Sequence, residues 1–345
     1  MKLLTVLLNY RTPEMTLEAL KAAHRAIENI PDARIDIVDN DSGDDSLERI
    51  REGVRERGYA PERVRVLASP NNGGFGAGNN FAMRPALESD DPPEYVYILN
   101  SDAFPAPDAI QILVDFLDAH PEVGIAGSAI HGTDDAPHAT AFRFPSLWSE
   151  LESGLSLGVV SKLLEERRVT IAPRPMTTCE VDWLAGASMM IRGDVLRKVG
   201  LFDETFFLYF EETDLCRRAK LAGWPTWYVV ESRVQHVGGA STGMKKWRKV
   251  PEYWFDSRWH YFRKNHGGAY LHAVNVVFAA THGIYKVRAK LQKKNDPNPQ
   301  GFFRDFLRYN FKLPIPDGDA PAESTKASPT SPPPAPTEPK RARAA

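Results

Sequence analysis

The sequence predicts an α/β fold: a mainly parallel central sheet flanked by helices, continued by a C-terminal helical extension and ended by a disordered tail. Three observations carry this. Short apolar runs alternate with helical stretches through the first hundred residues, a basic and aromatic segment follows residue 241, and beyond residue 314 the chain turns Pro/Ala/Ser-rich.

The first βαβ unit comes from two β-branched or apolar runs, residues 3–8 and 34–39, separated by helical spacing over 16–30. The pattern repeats as a helix over 45–58, a strand over 64–67, a helix over 78–87 and a strand over 95–99. Such alternation implies parallel strands with right-handed crossovers, and ligands of such sheets sit at the carboxyl ends of the strands. The loops after Leu8, Val38, Leu67 and Leu99 are therefore the ones to search. An apolar segment over 181–192 leads to a helix near 194–199, and another apolar run covers 227–234. From 241 to 313 there are fifteen Lys/Arg against four Asp/Glu, interleaved with Trp247, Tyr253, Trp254, Phe255, Trp259, Tyr261 and Phe262, which predicts a basic, aromatic surface.

With 42% hydrophobic positions over 345 residues the chain can bury a sizeable core, and its length allows about two domains. A net charge of −2, from 43 basic and 45 acidic residues, argues against a nucleic-acid binder. Cys179 and Cys216 form no CxxC, so neither a disulfide framework nor a cysteine zinc site is expected, and a reducing compartment fits. The apolar start is too short for a signal peptide and reads as a buried strand.

Four stretches carry chemistry. Residues 38–45, Val-Asp-Asn-Asp-Ser-Gly-Asp-Asp, end a strand, where Asp39 and Asn40 offer acceptors to the imide and amine groups of a nucleobase. The same residue types also make turns and helix caps, and Asp44 and Asp45 read as caps. Residues 71–80, Asn-Asn-Gly-Gly-Phe-Gly-Ala-Gly-Asn-Asn, lie between a strand and a helix, where glycine lets backbone approach a phosphate. The Walker lysine is missing, and such a turn is as often structural. Asn100-Ser101-Asp102 ends an apolar strand and places a carboxylate where a cation bound to a diphosphate would sit; His236 after the 227–234 run is a candidate second ligand. A strand-end Asp and a lone His also have ordinary structural roles. Last, Glu211, Glu212 and Asp214 follow the aromatic run 206–210, and a carboxylate beside aromatic surface is a candidate general base; a solvated helix start is the alternative.

Jointly these stretches resemble the inverting nucleotide-sugar glycosyltransferases of family 2, most closely their rhamnosyltransferase-like branch, over roughly residues 1–265. The most specific part is the ordered set Trp183-Leu184-Ala185-Gly186-Ala187, Phe202-Asp203-Glu204, Phe206-Phe207-Leu208-Tyr209, Glu211-Glu212-Thr213-Asp214-Leu215-Cys216-Arg217 and His236. The resemblance implies a GT-A fold with a Rossmann-like sheet. Residues 1–240 would then form the catalytic domain, with 1–105 its nucleotide-binding half and 180–240 its acceptor and catalytic half; residues 241–313 would form the helical extension and 314–345 the disordered tail. It also implies that Asp39 and Asn40 hold the nucleobase end of the donor, with Asn9 beside them, Asn79 or Asn80 near the sugar-nucleotide, and Asn100, Asp102, Trp183 and Gly186 along the same site.

The family's DxD motif reads Asn100-Ser101-Asp102 here, so its first acid is missing and a divalent cation, Mg²⁺ or Mn²⁺, would depend on Asp102 and His236. The family's base is the second acid of a Glu-Asp pair. That position is Glu212 in this chain, with Glu211 and Asp214 as fallbacks, and Arg217 and Arg218 are candidates to orient the acidic segment. The implied reaction moves a sugar, rhamnose from dTDP-rhamnose by resemblance, to a glycan or polyprenyl-diphosphate-linked acceptor in cell-surface polysaccharide synthesis.

No stretch reaches the roughly eighteen apolar residues of a spanning helix, since 270–285 includes His272, Asn275 and His282. The cations flanking it, Lys245, Lys246, Arg248 and Lys249 before and Lys286, Arg288, Lys290, Lys293 and Lys294 after, suit an anionic bilayer. The expected place is cytoplasmic, peripheral on the inner membrane; the alternative is a packed helix with a solvated basic face. Two other function classes compete: a sugar-nucleotide-binding protein without turnover, and a polyanion-binding module built on 241–313, which explains neither the strand-end acids nor His236.

Overall fold

The first strand, β1 (Leu3–Asn9), is apolar and buried along almost its whole length, so it has to be covered on both faces. In the computed structural model, which describes residues 1–239 and 249–313, it is. The elements that follow are α1 (Pro13–Ala26), β2 (Ala33–Asp39), α2 (Ser46–Glu56), β3 (Val64–Ala68), α3 (Gly74–Leu87) and β4 (Tyr95–Asn100). Next come β5 (Ala103–Pro105), α4 (Ala109–Ala119), β6 (Ile125–His131), β7 (Ala141–Phe142), α5 (Leu147–Leu155) and α6 (Gly158–Leu163). After them stand β8 (Cys179–Val181), β9 (Trp183–Leu184), β10 (Ser188–Arg192), α7 (Gly193–Val199), α8 (Glu211–Leu221) and β11 (Thr226–His236). Three helices, α9 (Glu252–His266), α10 (Gly268–Leu291) and α11 (Phe302–Phe311), end the described part.

The main sheet has nine strands in the order β3-β2-β1-β4-β10-β6-β11-β5, with β8 added to β11; β7 and β9 pair separately. Strands β1 to β4 run parallel, as the alternation predicts. β10 enters antiparallel between β4 and β6, and β6 and β11 are again parallel. Side-chain alternation divides the core by face. Leu3, Leu7, Ile35, Ile37, Tyr95 and Tyr97 pack with Leu17 and Leu20 of α1, Ile50 of α2 and Leu113 of α4. Leu4, Val6, Val38, Val96 and Ile98 pack on the other side with Met83 of α3, Leu196 of α7 and Leu215 of α8.

Boundaries differ from expectation where a single residue overrides periodicity. α1 starts at Pro13, since the first helical turn has no use for the amide hydrogen proline lacks. α3 starts at Gly74, four residues before the expected position, so most of the glycine-rich stretch is helix rather than loop. That corrects the phosphate-cradle reading. Gly74 has φ +90°, and a Cβ there would stand 1.9 Å from the carbonyl oxygen of Phe207; the amide of Phe75 donates to that same oxygen at 2.9 Å. Glycine here admits the chain's own backbone.

The extension is also corrected. Phe255, Tyr261 and Phe262 are buried and Trp254 and Trp259 partly so, which makes these aromatics core rather than surface. Arg258, 3% exposed, donates to Asn275 Oδ1 at 2.7 Å and Glu150 Oε2 at 2.6 Å, tying α9 to α10 and α5. Trp247, Lys245, Lys246 and Arg248, and the tail expected over 314–345, lie outside the described residues. Among those described, no helix is long and apolar enough to cross a membrane.

Candidate functional site

The carboxyl ends of β1, β2, β4 and β11 bring the predicted residues to one edge of the sheet. Asn9 ends β1 opposite Asp39 at the end of β2, and their register fixes the contact. Asn9 Nδ2 donates to Asp39 Oδ1 at 2.7 Å; the hydroxyl and amide of Ser42 donate to the same carboxylate at 2.6 and 3.2 Å. Asn9 Oδ1 in turn accepts from the Thr16 hydroxyl at 2.7 Å and the Thr12 amide at 3.2 Å. Thr12 and Ser101 join hydroxyls at 3.0 Å, linking this cluster to the end of β4. Each residue is buried or nearly so, which makes the cluster rigid. Asp45 holds the N-cap position of α2 without a side-chain cap hydrogen bond, and Asp44 before it accepts from the amide of Ser46 at 3.0 Å in a turn.

The asparagines divide. Asn40 donates to Asn72 Oδ1 and Gly74 O, while its own Oδ1 is buried with no hydrogen-bond partner. Asn79 sends its amide to Phe75 O and likewise keeps an unpaired Oδ1. Asn80 is spent on the fold: it donates to Phe202 O and Glu204 Oε1 and accepts from the amide of Phe202. Trp183 stacks on Phe142 at 4.2 Å between ring centres and donates to Arg143 O, so it holds the β7/β9 ribbon.

Asp102 and His236 meet because β5 pairs antiparallel with β11, placing His236 opposite Ala103. His236 Nε2 lies 3.0 Å from Asp102 Oδ1, and the amide of Val237 donates to the Asp102 carbonyl. Asp102 and His236, hydrogen-bonded here, would offer one carboxylate and one imidazole to a divalent cation. Among the described residues no group of three or more His, Cys, Asp or Glu forms a cage made by protein alone.

The acids of α8 are not a solvated helix start. Glu211 and Asp214 are buried, and Glu212 is largely so. Asp214 is committed to structure: Arg218 Nε and Lys264 Nζ each approach it at 2.8 Å and Asn265 Nδ2 at 3.1 Å. Arg218 also binds the carbonyls of Val199, Gly200 and Leu201, which confirms one of the two arginines as an orienting residue; Arg217 instead lies over the Phe144 ring. Glu211 and Glu212 each keep a buried carboxylate oxygen without a partner. Burial raises the pKa of Glu211 well above the glutamate range, and the Glu212 charge raises it further. Burial also raises Glu212, but backbone amides, including that of Gly186, support its charged form. Burial thus pushes both carboxyls toward the protonated form, and the amide of Gly186 favours charge on Glu212. A Cβ on Gly186 would lie 3.0 Å from the Phe75 ring, a tight contact, and 3.8 Å from Glu212 Oε1, an ordinary one, so the turn passes close between them.

One strand turn joins the two clusters. The amide of Asn100 donates to Ala187 O at 3.2 Å, and Gly186, next in the chain, faces Glu212. Immediately before Glu211, Tyr209 and Phe210 adopt φ +72° and +70°, a costly conformation for aromatic side chains that turns the chain into α8. The loop is clamped from α9: His260 and Lys264 contact Asp203 at 2.9 and 2.8 Å, holding its carboxyl well below the usual range, and Ser257 donates to Leu208 O. Ser42, Thr12 and Thr16 are readable as turn and cap residues in sequence; His260 and Lys264 have no local signal, being more than fifty residues from Asp203.

Known proteins share this chain's family and fold. The sequence model described as glycosyltransferase like family 2 matches residues 3–254. An N-acetylglucosaminyl-diphospho-decaprenol L-rhamnosyltransferase of Mycobacterium tuberculosis (strain CDC 1551 / Oshkosh) is 29% identical over 194 residues, 52% of this chain and 61% of that protein. The rhamnosyltransferase WbbL of Escherichia coli (strain K12) is 27% identical over 159 residues, 45% of this chain and 58% of its own. The matched region thus spans about three fifths of these curated relatives. In fold, the chain is similar to the mannosyltransferase PcManGT from Pyrobaculum calidifontis in complex with GDP-Man and Mn²⁺: TM-score 0.54, 14% identity, 90% of this chain and 79% of that one. GalNAc-T7 with UDP, GalNAc and Mn²⁺ gives 0.50 at 16% identity, covering 90% and 56%.

Proposed function

The chain belongs to glycosyltransferase-like family 2, and from that premise we propose that it transfers a sugar, with inversion, from a nucleotide-sugar to a hydroxyl of a glycan or lipid-linked acceptor. The observation that carries this reading is the Glu212 carboxylate, buried and poised for protonation, joined through Gly186 and Ala187 to the strand end that bears Asp102 and His236. The rhamnosyl transfer in the names of both relatives supports dTDP-rhamnose as donor, and the diphospho-decaprenol in one supports a polyprenyl-diphosphate-linked acceptor. Residues 1–240 are then the catalytic domain and 241–313 a helical extension, acting at the cytoplasmic face of the membrane.

Asp39, held by Asn9 and Ser42, and Asn40 would take the base; Asn79 and Asn100 lie along the path to the diphosphate. Asp102 and His236 would hold the cation. Mg²⁺ or Mn²⁺ bound there would stabilise charge developing on the leaving diphosphate. Glu212 would accept the proton of the acceptor hydroxyl as its oxygen bonds to the anomeric carbon and the bond to the nucleoside diphosphate breaks, through an oxocarbenium-like state. Burial, and then the Glu212 charge, disfavour a second negative charge on Glu211 beside the base.

The test is nucleotide release from dTDP-, UDP- and GDP-sugars with Mn²⁺, Mg²⁺ or EDTA, with acceptor supplied. Metal-dependent turnover of one donor, lost in Glu212→Gln and weakened in Asp102→Asn, is expected. Failure to bind any of the donors would overturn the reading. Donor binding without turnover when an acceptor is present would favour a sugar-nucleotide-binding protein.

A further inference from the structure

Helix α10 has two apolar faces, and the fold uses one. Leu271, Val274, Phe278 and Tyr285 are buried, where α5, α9 and α11 pack. On the opposite side Val276, Ala280, Ile284, Val287 and Leu291 recur every three or four residues and point outward. Val276 is 55%, Ile284 57%, Val287 64% and Leu291 80% exposed. Scattered exposed apolar side chains are ordinary; a stripe of large ones along one helix marks an interaction surface.

The charge around the stripe is mostly of one sign, Asp296, paired with Lys286 at 2.8 Å, being the acid at its end. From 257 to 295 the chain carries eight Lys/Arg and not one Asp/Glu. Lys290, Lys293 and Lys294 are exposed where the stripe is most apolar. Arg288 donates to the carbonyls of Leu155 and Ser156 at 2.8 and 2.6 Å, which brings the start of α6 alongside, where Leu157, Val159 and Leu163 are also exposed.

We propose that this face docks on an anionic bilayer surface, with α10 lying in the interfacial plane, its stripe at the headgroup-acyl boundary and its lysines among the lipid phosphates. Pairing of two copies through the stripe would bring like-charged lysine rows together, which a phosphate surface instead neutralises. The docked helix is tied through α9 to the 203–214 loop by the Ser257, His260 and Lys264 contacts, so docking would fix the height of Glu212 above the lipid. The docking itself does not depend on the transferase reading.

The experiment is flotation of the full-length chain with vesicles of phosphatidylcholine alone or with phosphatidylglycerol. Wild type should float with the anionic vesicles, less so as salt rises. Ile284→Ser/Val287→Ser/Leu291→Ser should weaken binding at least tenfold, and Lys290→Gln/Lys293→Gln/Lys294→Gln by about fivefold per lysine. These side chains are exposed, so both variants should keep the wild-type circular-dichroism melt. Lys340, Arg341 and Arg343 remain in every variant, so a difference reports on α10. Absence of wild-type flotation, or flotation unchanged by the apolar triple variant, would overturn the proposal. So would concentration-dependent self-association abolished by the apolar triple variant without vesicle binding, which would assign the face to a second copy.

Discussion

Two buried carboxylate clusters sit at the same sheet edge and are built in opposite ways. Asp39 takes three hydrogen bonds from Asn9 and Ser42 at 2.6 to 3.2 Å. Glu211 and Glu212 leave an oxygen each without a partner in the interior. A fully hydrogen-bonded carboxylate holds its shape, whereas burial of an unsatisfied pair disfavours its charge and raises its affinity for a proton. The first cluster is suited to presenting a fixed surface to a ligand, the second to moving a proton.

The sharpest break of this contrast is Glu212→Gln. It should lower transfer by about a thousandfold, within the range of a lost general base, with nucleotide affinity unchanged by calorimetry. A rate within tenfold of wild type would show that another group is the base. Asp39→Ala should act the other way. It strands the Asn9 amide and the Ser42 amide and hydroxyl, costing about 2–3 kcal/mol in urea unfolding, and weakens nucleotide binding; full stability would mean the cluster relaxes.

The pH dependence separates the clusters as well. Because burial and then the Glu212 charge raise Glu211, the folded chain holds more protons than the unfolded one between the ordinary glutamate value and the raised one. Stability therefore falls as pH rises through that interval, by at most about 1.4 kcal/mol per pH unit for this group. Glu211→Gln, which copies the protonated form, should flatten that slope, seen as the midpoint of urea unfolding against pH; an unchanged slope would place the proton elsewhere. The smallest effect belongs to Asp44, whose carboxylate accepts one turn hydrogen bond from Ser46. Asp44→Ala should cost about 0.5–1 kcal/mol in thermal unfolding and leave nucleotide affinity alone.

Local pattern was enough for the parallel strands, because a run such as residues 3–8 is apolar at every position and only a sheet covered on both faces buries it. It was enough also for the strand-end residues Asp39, Asp102 and His236, since chemistry-bearing side chains after apolar runs fall at the ligand edge of such a sheet. Sequence determined, too, that one acid of the metal motif is Asn100 and that the pair at 211–212 is Glu-Glu. Only the tertiary structure decided what each polar group spends itself on. Asn80 and Trp183 serve the fold, the glycine-rich stretch makes room for Phe207, Asp214 is closed off by Arg218 and Lys264, and Glu212 is singled out by the amide of Gly186. Apart from Arg218, four residues from Asp214, those partners stand tens to more than a hundred residues away. A hydrogen bond and the loss of water at a carboxylate are set by what lies within a few ångströms, and chain order does not encode that distance.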